Sequence, residues 1–468
     1  MRIGLIFIGL CLVALLKAQT FPVDTLVYNG PVEKRINLVL LGDGYRSIDM
    51  DKFQTDALNF TQAFFQESPF AQYKNYFNVF KIRTPSVDAG ADHPGTATDV
   101  NESGFPVANV DTYFSSTFDY ANIHRLLVAT DYGRIYDVLT NNLPLYDQVV
   151  VLVNSPLYGG SGGPFAVVST DASATEVALH ELGHSFASLA DEYWYTGGET
   201  YNRTAETNPS LVKWKNWMGT NAVGIYQHCC GGDSENWYRP HQNCKMRYLG
   251  PDFCPVCTEA IVERIHASAS PVDGFSPTTV SFQATEDTLE FAVQLLLPEP
   301  NTLKVQWFLN DTLIQGGGDQ LQLPTANLLP EAAIPPLGVN RLGCFIEDTT
   351  KLQRVDDHAL IHFYEVQWKI KKALSGTQQL VGTASEISLL LFPNPTTDHL
   401  YLRAKTAYSD PVLLQLWDTQ GRLLITWNIS ALLADQDYPL DLTPYPAGNY
   451  LLQLQVGGMK QAYPFIRQ

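Results

Sequence analysis

Ala174-Thr-Glu-Val-Ala-Leu-His-Glu-Leu-Gly-His-Ser-Phe-Ala187 is a proline-free stretch with the pattern of an amphipathic helix, and its reading decides the first half of the chain. Residues four apart lie on one face of a helix, so His180 and His184 can offer imidazole nitrogens to one zinc ion. Glu181 then stands beside the metal as a general base toward a water that zinc acidifies. The bland reading is a pair of helix-face histidines with surface carboxylates. Three fixed residues in five recur by chance, so the flanking sequence has to decide between the two.

Upstream, Tyr158-Gly-Gly-Ser-Gly-Gly-Pro164 reads as a flexible loop and Phe165-Ala-Val-Val-Ser169 as a short strand. Such a strand at a sheet edge could pair with an extended peptide. Further back, Arg35–Gly44, Tyr76–Ile82 and Gln148–Val153 are apolar runs that predict buried strands. Between them, Met50–Glu67 places Phe53, Ala57, Phe60, Phe64 and Phe65 on one helical face. Strands alternating with helices predict an α/β layer, closed by a helix over Thr258–Ala267.

A third ligand is expected in Asp191-Glu192. If the helix ran on, Asp191 would lie about 10 Å along the axis from His184, too far for one ion, so the chain must turn near Ala187–Leu189. No glycine stands there to make the turn. Asp191 is the favoured ligand, Glu192 the second choice and a distant residue the third. Either carboxylate could instead only orient the histidines. Met246, within Cys244-Lys-Met-Arg247, could form an apolar floor beneath the metal or be an ordinary core methionine. Tyr193, Trp194 and Tyr195 read equally as cleft lining and as core.

The mature chain reads as exported. Arg2, the apolar run Ile3–Leu16 and Lys17-Ala-Gln19 have the pattern of a signal peptide cleaved after Ala18, too short to span a membrane. In an oxidising compartment, the five cysteines between Cys229 and Cys257 predict a disulfide framework. The alternatives are a redox pair at Cys254-Pro-Val-Cys257 or a four-cysteine zinc site. A net charge of −18 argues against nucleic acid or an anionic membrane as partner.

At 468 residues several domains are expected. After Pro271 the pattern turns all-β, with strands at Leu289–Leu296 and Leu303–Phe308, and predicts an immunoglobulin-like sandwich. A second small β unit opens at Leu391-Phe-Pro-Asn-Pro-Thr396. The division is a signal peptide over 1–18, a zinc peptidase domain over 19–269, a β-sandwich over 270–374, a linker over 375–388 and a last β domain over 389–468.

Two resemblances add to this. Gly42-Asp-Gly-Tyr45, Ser68-Pro-Phe70, the Gly-rich loop before the site, His180-Glu-Leu-Gly-His-Ser-Phe-Ala-Ser-Leu-Ala-Asp-Glu-Tyr193, Cys244-Lys-Met-Arg247 and Cys254-Pro-Val-Cys257 together resemble the IgA-peptidase family of zinc metallopeptidases, over Leu26–Ala267. The resemblance implies a metzincin-like fold, one catalytic zinc on His180, His184 and Asp191, Glu181 as base and Met246 as a Met-turn. It does not make immunoglobulin A the substrate, and the missing glycine departs from the metzincin pattern. Phe392-Pro-Asn-Pro395, Leu414–Gly421 and Tyr445–Leu451 resemble the sorting domain of type IX secretion. That implies the type IX machinery as a partner and passage through the periplasm to the surface or medium of a Gram-negative bacterium.

The function expected is a secreted zinc endopeptidase acting on extended polypeptide or protein substrates. The alternatives are an inactive adhesion or glycan-binding protein on the same scaffold, and a zinc hydrolase of a non-peptide bond. The intact Glu181 speaks against the inactive form.

Overall fold

The computed structural model describes residues 20–193, 197–330, 339–356, 362–372, 389–405, 407–418, 422–456 and 459–468. The signal peptide, the 375–388 linker, Trp194 and Tyr195 lie outside the described residues. No described helix is long and apolar enough to cross a membrane.

The chain forms two compact units. One holds the residues as far as Phe275 together with Val293–Gln306 and Phe345–Glu365; the other holds Ser276–Ala292, Trp307–Cys344 and Val366–Gln468. The first unit is built on a sheet of β1 (Val23–Val27), β2 (Ile36–Asp43), β3 (Phe77–Ile82), β4 (Gln148–Val153), β5 (Gly160–Ser161) and β6 (Ala166–Val168), in the order β1-β3-β2-β4-β6-β5. The four inner strands are parallel, and β1 and β5 run antiparallel at the margins. All eight residues of β2 are buried, and its centre, Leu38–Leu41, is the continuous apolar run that a strand between parallel neighbours requires.

The pleat sends alternate residues to two cores. Leu38, Leu40, Val150, Leu152 and Val168 pack with α1 (Met50–Phe64), α3 (Ala174–Ala187) and α4 (Pro255–Ser268). Val39, Leu41, Val149, Val151 and Val167 pack with α2 (Tyr132–Asn142) and with Phe114 and Phe118. At the end of β2, buried Asp43 accepts hydrogen bonds from Thr112 Oγ1 and from the amides of Phe114 and Ser116. The Gly42-Asp-Gly-Tyr45 motif thus ties an irregular loop to the sheet.

The edge-strand expectation is corrected. The 165–169 segment is not the margin, because the Gly-rich loop folds back as β5 and pairs with β6. β5 is itself covered: Gly160 N donates to Arg125 O at 3.1 Å, and Ser161 Oγ donates to Leu127 O at 2.6 Å.

The second unit is β-rich. Thr288–Ala292 pairs antiparallel with Gln320–Pro324, Ser281–Ala284 pairs parallel with Lys369–Lys372, and buried Trp307 and Trp368 stack at 5.9 Å. Its C-terminal part has a three-stranded sheet (Leu389–Phe392, His399–Ala404, Asp437–Asp441) and a four-stranded one (Val412–Asp418, Leu423–Ile429, Gly448–Val456, Met459–Arg467). Leu400, Leu402, Leu414, Leu416, Leu452 and Leu454 form their shared core.

Candidate metal centre and cleft

Helix α3 buries Val177, Ala178, Leu179, Leu182 and Phe186 against the sheet. The same periodicity brings His180 and His184 together, with ring centroids 5.0 Å apart. Each ring is oriented from behind: Nδ1 of His180 lies 2.9 Å from Lys245 O, and Nδ1 of His184 lies 2.7 Å from Leu189 O. A carbonyl only accepts, so both Nδ1 atoms carry hydrogen and both Nε2 atoms of the neutral rings present a lone pair.

Those lone pairs meet at Asp191, whose Oδ1 is 3.1 Å from His180 Nε2 and 3.2 Å from His184 Nε2. Metal–nitrogen and metal–oxygen bonds of about 2.0–2.1 Å set ligand atoms about 3.3 Å apart at the corners of a tetrahedron. Two imidazole lone pairs facing a carboxylate oxygen are satisfied by a cation between them, and the donor set and spacings fit zinc. Burial opposes charge on both partners. Asp191 nevertheless holds His184 above the usual imidazole range, and the two histidines hold Asp191 below the usual carboxylate range.

The turn that delivers Asp191 is made by a serine. α3 stops at Ala187, and Ser188 takes the left-handed conformation (φ 54°, ψ 34°) that glycine ordinarily fills. Ser188 N then bonds to His184 O and Leu189 N to Gly183 O, closing the helix end. Glu192 points elsewhere: it is fully buried, its Oε1 accepts from Asn202 Nδ2 at 3.0 Å, and its amide donates to Met246 O at 2.8 Å. Met246 is buried under α3, where a Cβ on Gly183 would meet its Sδ at 2.6 Å. The glycine of the motif admits the methionine.

Glu181 faces a cleft of about 370 Å³ with His180, Arg125, Tyr158, Gly160 and Tyr193. Gly162 lies against its carboxylate so closely that any side chain there would displace Oε2. Burial raises the pKa of Glu181, and Asp191 adds to the rise against the opposing pull of the two histidines. Tyr193, 38% exposed, stacks its ring on His180 at 6.4 Å and hydrogen-bonds Asp191. Arg125 carried no sequence signal, since it belongs to no motif or periodic element, and Gly162 was read only as part of the flexible Gly-rich loop.

The disulfide framework is corrected as well. Cys229 and Cys230, adjacent in sequence, are bonded to each other, while Cys244, Cys254 and Cys257 are buried free thiols. Cys244 and Cys257 Sγ stand 3.7 Å apart, well beyond a bond of about 2.05 Å. With Glu192 they form a second group able to hold a metal ion.

Residues 25–224 match the family model IgA Peptidase M64. His180, Glu181, His184 and Asp191 all fall inside the match. Residues 390–466 match the Secretion system C-terminal sorting domain. Both resemblances read from the sequence are thus borne out. The first match is to a metallopeptidase family, whose substrates are proteins. The second indicates a secreted or cell-surface protein served by the type IX machinery.

No curated protein matches the chain. Among solved structures, Sidekick-1 immunoglobulin domains 1–5 are 11% identical, with 42% of this chain and 38% of that one covered, at a TM-score of 0.15. A biofilm associated protein BSP domain is 11% identical, covering 40% and 28%, also at 0.15. A quinonprotein alcohol dehydrogenase-like protein from Bacteroides thetaiotaomicron is 10% identical, covering 41% and 61%, again at 0.15. The chain spans well under half the length of the first two, and scores this low carry no weight for the fold.

Proposed function

We propose that the chain is an exported zinc-dependent endopeptidase acting on protein substrates, with a metzincin-like catalytic domain and an immunoglobulin-like middle region. The observation that carries this is the convergence of two imidazole lone pairs and one carboxylate oxygen beside a half-buried glutamate in an open cleft.

His180, His184 and Asp191 would hold the zinc. When bound, it would supply Lewis acidity, acidifying water and polarising a scissile carbonyl. Lys245 O and Leu189 O keep both imidazoles in the ligating tautomer. Glu181 takes a proton from the attacking water on its carboxylate and returns it to the leaving amine. Burial raises its pKa, which makes the carboxylate a better acceptor of that proton than an exposed glutamate. Met246 forms the apolar floor of a Met-turn under Gly183. Because β5 is covered by 125–127, substrate enters against the walls of the cleft rather than as an added strand.

The test is zinc content and cleavage of an unbiased peptide library by the full chain and by Glu181→Ala. Cleavage is expected to fall by about 10²–10⁴-fold with zinc retained. Zinc in both proteins and cleavage by neither would favour the adhesion or glycan-binding reading; absence of zinc from the unaltered chain would end the proposal.

A further inference from the structure

His93, Glu102, Asp119 and His124 come together in the first unit, apart from the motif on α3. His93 is 1% exposed, and its Nδ1 donates to Pro106 O at 2.7 Å. Its Nε2 therefore presents a lone pair, as at His180. That atom lies 3.1 Å from Glu102 Oε2 and 3.4 Å from Asp119 Oδ1. Among the described residues, none of these three buried atoms has a hydrogen-bond partner. On the other side, His124 Nδ1 lies 3.0 Å from Glu102 Oε1 and 3.4 Å from Asp119 Oδ1.

We propose that these four residues bind a zinc ion in a closed, structural site. The spacings of 3.0–3.4 Å bracket the tetrahedral edge of about 3.3 Å expected for nitrogen and oxygen ligands. The charges agree too, since two carboxylates and two neutral imidazoles balance one divalent cation. Leaving His93 Nε2, Glu102 Oε2 and Asp119 Oδ1 buried and facing one another without a cation is strongly unfavourable.

Supporting contacts fix the donors. Asp119 Oδ2 accepts from Thr96 N at 3.0 Å, the His124 amide donates to Asp99 Oδ1 at 2.9 Å, and the Phe105 ring packs on His124 at 4.1 Å. Four protein ligands leave no open position, so the site holds chain rather than substrate. The chain it holds is irregular. Between Ile82 and α2 only short elements form, and Asp119, Ala121 and Asn122 all have positive φ. A metal linking residues 93, 102, 119 and 124 would tie this stretch together.

The test compares zinc bound per chain, after dialysis, in His180→Ala/His184→Ala and in the same chain carrying Glu102→Gln/His124→Gln. The second is expected to hold one zinc fewer and to lose the rise in melting temperature that zinc gives the first. Equal zinc content in the two would overturn the proposal. If the fourfold variant does not fold, the zinc X-ray absorption of His180→Ala/His184→Ala decides. A nitrogen and oxygen shell near about 2.0 Å with imidazole scattering is expected. A sulfur-only shell near about 2.3 Å would assign the metal to the thiol cluster and refute the site, as would absence of zinc.

Discussion

Two histidine–carboxylate clusters within the first unit look alike in composition and differ in what their atoms need. At His266, Nε2 lies 2.9 Å from Asp348 Oδ2 and Nδ1 lies 3.1 Å from the Tyr364 hydroxyl. Asp348 also accepts from Tyr73 Oη at 2.7 Å, Thr302 Oγ1 at 2.6 Å and the Thr350 amide at 3.0 Å. Every contact there has a hydrogen to share. At His180 and His184 the Nδ1 hydrogens are spent on carbonyls behind the rings, so with the rings neutral the atoms facing Asp191 are all acceptors. Burial and residue type do not separate a ligand set from an ion-pair network; the direction of the protons does.

Substitutions in the two clusters should therefore fail in different ways. Asp191→Ala is expected to lose zinc and more than about 100-fold of peptide cleavage while the fold persists, since even supporting partners of a metal contribute 10–100-fold. Retained zinc would remove the distinction. Asp348→Asn should do the reverse, leaving zinc in place and lowering unfolding free energy by about 2 kcal/mol.

The sign follows from the pKa of Asp348. Burial alone would raise it, but His266, Thr302 and Tyr73 bring it down from 3.8 to about 2. Its contribution is complete above the unfolded value and is lost as pH falls from about 4 toward about 2. Acid unfolding of Asp348→Asn should lack that component, and an identical pH profile would contradict the assignment.

A third comparison uses pH on activity. Burial raises the Glu181 carboxyl above its ordinary range, so cleavage should fall on the acid side as Glu181 takes up a proton, and Glu181→Gln should remove that limb from the residual activity. An acid limb kept in Glu181→Gln would show that another group carries the base role. The smallest effect belongs to the turn between the motif and Asp191. Ser188→Gly relieves a left-handed serine and should raise stability by up to about 1 kcal/mol without changing zinc content. A loss of stability in thermal melts would mean that the Ser188 side chain is needed there.

Much of the first unit was legible because the signals were periodic. The runs at Leu38–Leu41 and Val149–Val153 are buried on both faces and so are apolar throughout. The spacing of His180, Glu181 and His184 was likewise a helical period. The failures were local accidents of a different kind. Gly160–Ser161 became a strand only because it could fold back on Ala166–Val168, which no propensity foretells. Ser188 adopted a conformation that sequence rules reserve for glycine. The cysteines between Cys244 and Cys257 were read from the oxidising compartment, whereas the packing keeps them as thiols. His93 and His124 lie far apart on irregular chain, where no period exists to join them.

The loop at Cys244–Arg247 has a bearing on when the enzyme can mature. Lys245 O turns the His180 ring from 65 residues away, Met246 fills the hollow under Gly183, and Met246 O anchors the residue after Asp191. None of these restraints exists while the chain is shorter than about that point, so the end of α3 can preset His184 through Leu189 O but not His180. Competence is a late event of folding, reached only when distant contacts close. A nascent or truncated chain ending before Lys245 would carry the full motif without these restraints.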